Sequence, residues 1–342
     1  MKSKTLNLYP IDYPFETLVA RLNADKPKLI LNPDFQRKYK WDKEGWERAS
    51  KFIESCLMRI PLPSCYFAED KDGRHIVIDG VQRLTTVAKF MEDEFALEGL
   101  TTFKELEGKK FSQIGSYKSE LEATTIRCIV LRKENDQGLI REIFSRLNQG
   151  AVKLSDQEIR HALYHGKFDK LLSKLASLPA IADFGKGPSS STVKDSREAE
   201  EQVLRFFALD GDLQGYSDRL SKYLDEFMQV QADIDQKTCD EFDERFTHGL
   251  NNCLTVFGKD AFIDTSKERS RQSMVYYDLL MPSLGKMTES QVRKAKAKIR
   301  TAFIALCKSP AFQKTLSGGL QNRASIVKRR SIWKNLLDKH LA

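Results

Sequence analysis

The sequence predicts an α+β fold, in which a module with a small mixed sheet is followed by an all-helical module. Two short apolar runs, residues 65–68 and 75–78, flank a turn whose Gly73 tolerates positive φ, which is typical of a hairpin. A further strand is expected at residues 125–131. Later segments show helical periodicity without a convincing hairpin: 167–178, 197–209, 216–233, 237–257, 268–283, 288–308 and 325–341. We therefore expect two domains, residues 1–165 and 166–342.

Local signals predict the other elements of the first module. Residues 29–31 form a short apolar run before a turn. A helix is expected from Asp42, whose side chain can cap the first turn, and Pro61 and Pro63 end it. Another helix follows the strand at residues 75–78 and runs to Met91, so a strand-to-helix turn lies between them.

Two helices are expected near the end of this module. One covers residues 139–147 and is stopped by Asn148-Gln149-Gly150. The next begins at Ser155, which forms a capping box with Glu158 three residues later, and Gly166 closes it.

The composition is that of a globular protein of the cytoplasm. Of the 342 residues, 41% are hydrophobic and 30% charged, and we find neither an apolar run long enough to cross a bilayer nor a signal-peptide core. The sequence therefore predicts no membrane partner. A net charge of +8 favours polyanions such as nucleotides or nucleic acid. Most of the six cysteines, which form no CxxC pair, are interpreted as core residues, and His161 and His165 as a solvated pair.

The strongest candidate site is the turn Asp79-Gly80-Val81-Gln82-Arg83 between a strand and a helix. Open backbone N–H groups and the helix dipole favour an anion there, and Gly80 permits a close approach. Arg83 can grip phosphate oxygens, Gln82 can donate to a phosphate or ribose, and Asp79 can hold Mg²⁺ or a water. The alternative is an ordinary turn in which Asp79 caps the helix and Arg83 is solvated. If the Arg83 guanidinium is locked in an internal ion pair and no cavity lies before it, the turn does not bind a phosphate in this way.

Two further clusters can support the same pocket. Gln36 and Arg37 lie in a stretch, residues 32–42, that combines cations with aromatic side chains able to stack on a base. Arg146 and Asn148 stand at a predicted helix end and can form the rim. The alternatives are a surface segment anchored by its aromatic rings and an ordinary helix C-cap.

Basic residues of the second module are candidates for nucleic-acid binding. Lys294 and Lys298 share one predicted helix, and Arg329 and Arg330 lie near the end of the chain. Such runs are usually solvated faces, and in a minority of proteins they form grooves that follow the phosphate backbone. Walker A, GxGxxG and GxSxG motifs are not found.

The ordered motifs resemble the N-terminal domain family of GmrSD-type modification-dependent restriction enzymes, which has a ParB/sulfiredoxin-like fold. The resemblance covers roughly the first 210 residues. It rests on these stretches: Phe35-Gln36-Arg37 with Trp41, Ile53-Glu54-Ser55 leading to Ile60-Pro61-Leu62-Pro63, Ile78-Asp79-Gly80-Val81-Gln82-Arg83-Leu84, Phe144-Ser145-Arg146-Leu147-Asn148, Leu154 to Arg160, and Arg205-Phe206-Phe207.

The resemblance implies phosphate binding by Gly80, Gln82 and Arg83, a metal- or water-positioning role for Asp79, and supporting contacts from Gln36 and Arg37. The family usually has two glutamines after Asp-Gly. Val81 replaces the first, which bears on hydrolysis more than on binding. Many relatives carry an HNH nuclease domain, which this chain does not clearly show, so any DNA cutting is expected from a partner protein.

The implied function is that of an NTP-binding component of a DNA restriction or anti-phage defence system, with NTP hydrolysis as an additional activity that the sequence leaves open. Its expected ligands are a nucleoside triphosphate and Mg²⁺, and its expected partners are DNA and a separate nuclease or other defence protein. As an enzyme it would be a nucleoside triphosphatase, with Asp79, Gln82 and Arg83 as catalytic residues. The alternatives are a DNA-binding or DNA-nicking module that uses the same turn and a catalytically silent protein-binding regulator.

Overall fold

A computed structural model describes residues 5–31, 39, 41–42, 45–147, 155–185, 197–264 and 271–342. The chain folds as two compact units, Met1–Leu154 and Ser155–Ala342. The division falls one helix before the domain boundary expected at residue 165. In the second unit that helix is held by Arg160, whose buried guanidinium is bonded to Asp225 and Glu201.

The first unit is built on a five-stranded mixed sheet in the order β1-β5-β3-β4-β2. β1 pairs antiparallel with β5, β5 parallel with β3, β3 antiparallel with β4, and β4 parallel with β2. This confirms the predicted small mixed sheet and its hairpin. The strands are β1 (Leu8–Pro14), β2 (Leu29–Ile30), β3 (Cys65–Glu69), β4 (His75–Asp79) and β5 (Thr125–Leu131).

Five helices of the first unit are described: α1 (Phe15–Leu22), α2 (Glu47–Leu57), α3 (Val81–Met91), α4 (Tyr117–Ala123) and α5 (Gln137–Leu147). Short 3-10 turns cover Lys104–Leu106 and Phe111–Gln113. The core packs sheet residues such as Phe67 and Val77 against Ile53 of α2 and Leu84 and Val87 of α3.

The predicted start of α2 at Asp42 is wrong. The helix begins at Glu47, and none of the described side chains caps it. Gly45 adopts φ +95, a left-handed conformation that a right-handed helix cannot contain, so the regular turns begin after it.

The second unit is helical, as predicted, and its described part adds only an isolated β-bridge between Ile263 and Gln272. Two 3-10 turns, Gly258–Asp260 and Lys314–Leu316, accompany the helices. The helices are α6 (Asp156–Leu163), α7 (Lys167–Ala176), α8 (Pro179–Ala182), α9 (Glu198–Leu209), α10 (Leu220–Gln231), α11 (Gln236–Phe257), α12 (Met274–Leu284), α13 (Glu289–Lys308), α14 (Pro310–Gln313) and α15 (Arg323–Leu341).

The capping box that opens α6 is confirmed, because Ser155 Oγ accepts from the Glu158 N–H and the Glu158 carboxylate accepts from the Ser155 N–H. Gly166 does not close this helix as predicted. α6 ends at Leu163, and Gly166 is the N-cap of α7. A Cβ there would lie 2.3 Å from the carbonyl oxygen of Ala232, so close backbone packing explains the glycine. Across the described residues, no helix is both long and apolar enough to span a membrane.

Candidate functional site

The strand-to-helix turn predicted from the sequence is present. β4 ends at Asp79, and α3 begins at Val81. Gly80 lies between them as the N-cap with φ +102, a conformation that L residues with a side chain rarely adopt. A Cβ on residue 80 would also lie 2.3 Å from the Sγ of Cys65. The turn therefore requires glycine both for its backbone conformation and for its packing.

No described side chain caps the N-terminus of α3. The first intrahelical bond runs from the Leu84 N–H to the Gly80 carbonyl, so the preceding N–H groups point out of the helix start. The alternative in which Asp79 caps this helix is wrong, since its Oδ2 instead accepts from Arg83 Nη2 at 2.9 Å. Positive partial charge from the helix start thus remains at the turn.

Arg83 is held at the turn rather than solvated. Besides Asp79, its guanidinium donates to the carbonyl oxygen of Ser64 at 3.2 Å and to that of Pro63. Its side chain is 13% exposed, whereas that of Asp79 is 40% exposed. These contacts use three of the five N–H donors that a guanidinium carries. Sequence reasoning missed the two carbonyls, because a backbone acceptor leaves no signal in residue identity.

Two thiols lie in register beneath the turn. Cys65 on β3 pairs with Cys128 on β5, and both side chains are buried. A hydrogen bond between the two thiols, with the Arg83 cation nearby, holds the pKa of Cys65 below its usual range. All six cysteines are buried and free, which confirms the prediction that most of them are core residues.

α3 is tied to the segment that precedes α2. The carbonyl of Gln82 accepts from Thr86 Oγ1 at 2.8 Å, and Thr86 Oγ1 lies 2.7 Å from the Tyr39 hydroxyl. Burial raises the pKa of Tyr39 to about 12. Tyr39 is thus a buried contact of α3.

The supporting residues are only partly described. Gln36, Arg37 and Asn148 lie outside the described residues, so their expected roles stay predictions. Arg146 is on α5, 71% exposed, and pairs with Glu142 one helical turn earlier. No contact within the described part of the chain brings Arg146 to the turn.

The basic residues of the second unit separate into two kinds. Lys294 is exposed, and Lys298 is exposed while donating to the carbonyl of Leu341 at 3.1 Å. Arg329 is 6% exposed and donates to the carbonyls of Thr315 and Leu320.

Arg330 is half-buried and donates to the carbonyls of Leu209 and Gly211. Burial lowers the pKa of both Arg329 and Arg330. Both guanidiniums satisfy backbone carbonyls of the fold, and the expected nucleic-acid contacts of Arg329 and Arg330 stay predictions.

By its sheet and its polar strand-to-helix turn, the first unit is an α+β domain with a candidate ligand site at one sheet end. Residues 17–165 match the family model for the GmrSD restriction endonuclease N-terminal domain. This match supports the family assignment that the motifs of this part of the chain predicted. The description of that family names a restriction endonuclease, which points to a component of a restriction or defence system. A search of curated proteins and a search of solved structures each found no match.

Proposed function

We propose that this chain is the NTP-binding component of a DNA restriction or anti-phage defence system, with the β4–α3 turn as its phosphate site. The observation that supports this most is the position of Arg83. Its guanidinium is fixed by two backbone carbonyls beside a helix N-terminus that no described side chain caps. A cation and outward N–H groups at one turn are what a phosphate requires.

The ion pair with Asp79 is the main obstacle, since it competes with a ligand for Arg83. The pair is accessible to water, because the Asp79 side chain is 40% exposed. Among the described residues, the contacts of Arg83 occupy three of its five guanidinium donors, which leaves two for a ligand. A Mg²⁺-bound nucleotide resolves the competition, because it offers a cation to Asp79 and an anion to Arg83. One exposed carboxylate fits Mg²⁺, which commonly takes one or two protein carboxylates and completes its shell with phosphates and waters.

The contacts set the expected affinity. Two charge-assisted hydrogen bonds at about 1.5–3 kcal/mol each, with up to about 2 kcal/mol from the helix N-terminus, give about 3–8 kcal/mol. That range corresponds to dissociation constants from above about 1 mM to about 1 μM. Ordering of the turn reduces the affinity further.

Calorimetric titration of the tag-free full chain with a panel of NTPs, with and without Mg²⁺, tests the proposal. We expect the wild type to bind and Arg83→Gln to lose binding. Arg74→Gln is the matched control, because Arg74 forms another i,i+4 pair, with Asp70, in the same unit. The proposal fails if no nucleotide binds, or if Arg83→Gln binds as the wild type does while circular dichroism shows both folded.

We extend the same proposal to NTP hydrolysis. Asp79 would position a metal ion or a water, and Gln82 and Arg83 would contact the transferred phosphate. Val81 supplies no polar group at the place where the family usually has glutamine. Phosphate release that needs Asp79 and Gln82 would support the extension, and binding without release would leave the chain a nucleotide-dependent regulator of its partner.

DNA contact is a second candidate function. The family's association with restriction and the exposure of Lys294 and Lys296 on α13 favour it. In this form of the proposal, the cutting of DNA belongs to a separate nuclease.

A further inference from the structure

The second unit contains a cluster of two imidazoles and one carboxylate at the corner between α6 and α7. His161 lies in the last turn of α6, His165 in the link, and Asp169 in the first turn of α7. Asp169 Oδ1 is 2.8 Å from His161 Nδ1, and Asp169 Oδ2 is 2.9 Å from His165 Nδ1. The expectation of a solvated histidine pair is therefore wrong for His161, which is only 8% exposed, whereas His165 is 53% exposed; both rings bond one carboxylate.

We propose that His161, His165 and Asp169 form a binding site for a divalent transition-metal ion of the zinc type. One donor atom from each side chain lies within 4.8 Å of the other two, and this is the one such triad of His, Cys, Asp or Glu among the described residues. Two imidazole nitrogens and a carboxylate oxygen are a common protein donor set for zinc and its neighbours, and three protein ligands leave a position for water. The proposal does not depend on nucleotide binding in the first unit.

An ion at this corner would replace the two hydrogen bonds between the imidazole rings and Asp169. Metal–nitrogen bonds of about 2.0–2.1 Å in a tetrahedral site place neighbouring ligand atoms about 3.3–3.4 Å apart. The distances from His161 Nδ1 to Asp169 Oδ1, 2.8 Å, and from His165 Nδ1 to Asp169 Oδ2, 2.9 Å, are about half an ångström shorter than this spacing, so both rings would move away from the carboxylate. The fold restrains this change little at His165, whose side chain is 53% exposed.

Burial favours a cation at this position. The Asp169 side chain is 1% exposed, and a buried carboxylate requires a paired or coordinated partner. The exposed His165 ring provides the route by which an ion enters.

The test uses tag-free, chelator-treated full chain titrated with Zn²⁺ by calorimetry and with Co²⁺ by visible absorption. We expect one ion per chain, with the d–d absorption of tetrahedral Co²⁺ and without thiolate charge-transfer bands, since no cysteine takes part. His165→Gln should weaken binding at least about 10-fold and abolish the rise in melting temperature that Zn²⁺ gives the wild type.

Two further variants complete the test. Asp169→Asn should also abolish binding, although it can lower stability, so the exposed His165 is the primary change. His340→Gln is the matched control, because His340 lies outside the cluster and bonds the Leu336 carbonyl. This variant should bind the ion as the wild type does. The proposal is overturned if the wild type binds neither ion, if His165→Gln binds equally well, or if Co²⁺ shows thiolate bands.

Discussion

The carboxylate of Asp79 and the guanidinium of Arg83 face each other at 2.9 Å across the first turn of α3. If this pair competes with phosphate, Asp79→Asn should strengthen the binding of metal-free nucleotide about 10-fold, or about 1.4 kcal/mol, and remove the dependence on Mg²⁺. Calorimetry with and without the metal measures both effects. Asp70→Asn, which breaks the comparable pair with Arg74, should change neither. If the Asp79 variant and the wild type bind metal-free nucleotide equally well, Asp79 does not compete with phosphate for Arg83.

Gly80→Ala should cost more stability than an ordinary glycine replacement. Both Gly80 and Gly73 have positive φ, but a Cβ at Gly73 meets nothing within 4 Å, whereas one at Gly80 meets Cys65 Sγ at 2.3 Å. We expect about 1–2 kcal/mol for Gly73→Ala from backbone strain and about 1–3 kcal/mol more for Gly80→Ala from overpacking. Urea unfolding of the two variants compares them, and similar costs would contradict the packing account.

Glu54 should contribute stability that is lost in acid. Its buried carboxylate accepts from the N–H groups of Thr101, Thr102 and Phe103. Although burial raises its pKa, these bonds outweigh that effect and hold the pKa below its usual range.

A depressed folded pKa means that the contribution is complete above the unfolded pKa of about 4.3 and disappears as the pH falls through the folded value. Glu54→Gln should thus cost about 1–3 kcal/mol at pH 7, and the difference from wild type should shrink below about pH 4. Denaturant unfolding at several pH values measures it, and a constant difference would refute the assignment.

Lys294→Gln and Arg329→Met should affect different properties, DNA binding for the first and stability for the second. If α13 contacts DNA, loss of exposed Lys294 should weaken binding and reduce the salt slope by about 1, without loss of stability. Arg329→Met should instead lower the melting temperature, because the carbonyls of Thr315 and Leu320 lose their donor. Fluorescence anisotropy across salt concentrations, with thermal unfolding, separates them. A DNA defect in a fully stable Arg329 variant would contradict the structural role.

The sequence predicted those elements that depend on residues close together in the chain. The strand Thr125–Leu131 and the capping box at Ser155 follow from residue types at short spacing, and both are present. β1 was not predicted, because Pro10 and Pro14 weaken a strand signal. Since β1 is an edge strand, it tolerates residues that lack a backbone donor.

The candidate site was predictable in its position but not in its contacts. Asp79-Gly80 after an apolar run indicated the turn, and the positive φ of Gly80 agrees with it. The partners of Arg83 depend on tertiary structure, since the carbonyl of Pro63 lies 20 residues away in the sequence. The same holds for Arg329, where a run of cations suggested a solvated face and distant carbonyls bury the side chain instead.

Amide chemical-shift mapping of the full chain with Mg²⁺-bound nucleoside triphosphate tests the central claim most directly. We predict that the amide resonances of Gly80, Val81 and Gln82 change their chemical shifts in proportion to bound ligand. The amide resonance of Gly73, in the neighbouring hairpin, should not change. Saturable shifts elsewhere in the chain, with these three amides unmoved, would contradict a phosphate site at the β4–α3 turn.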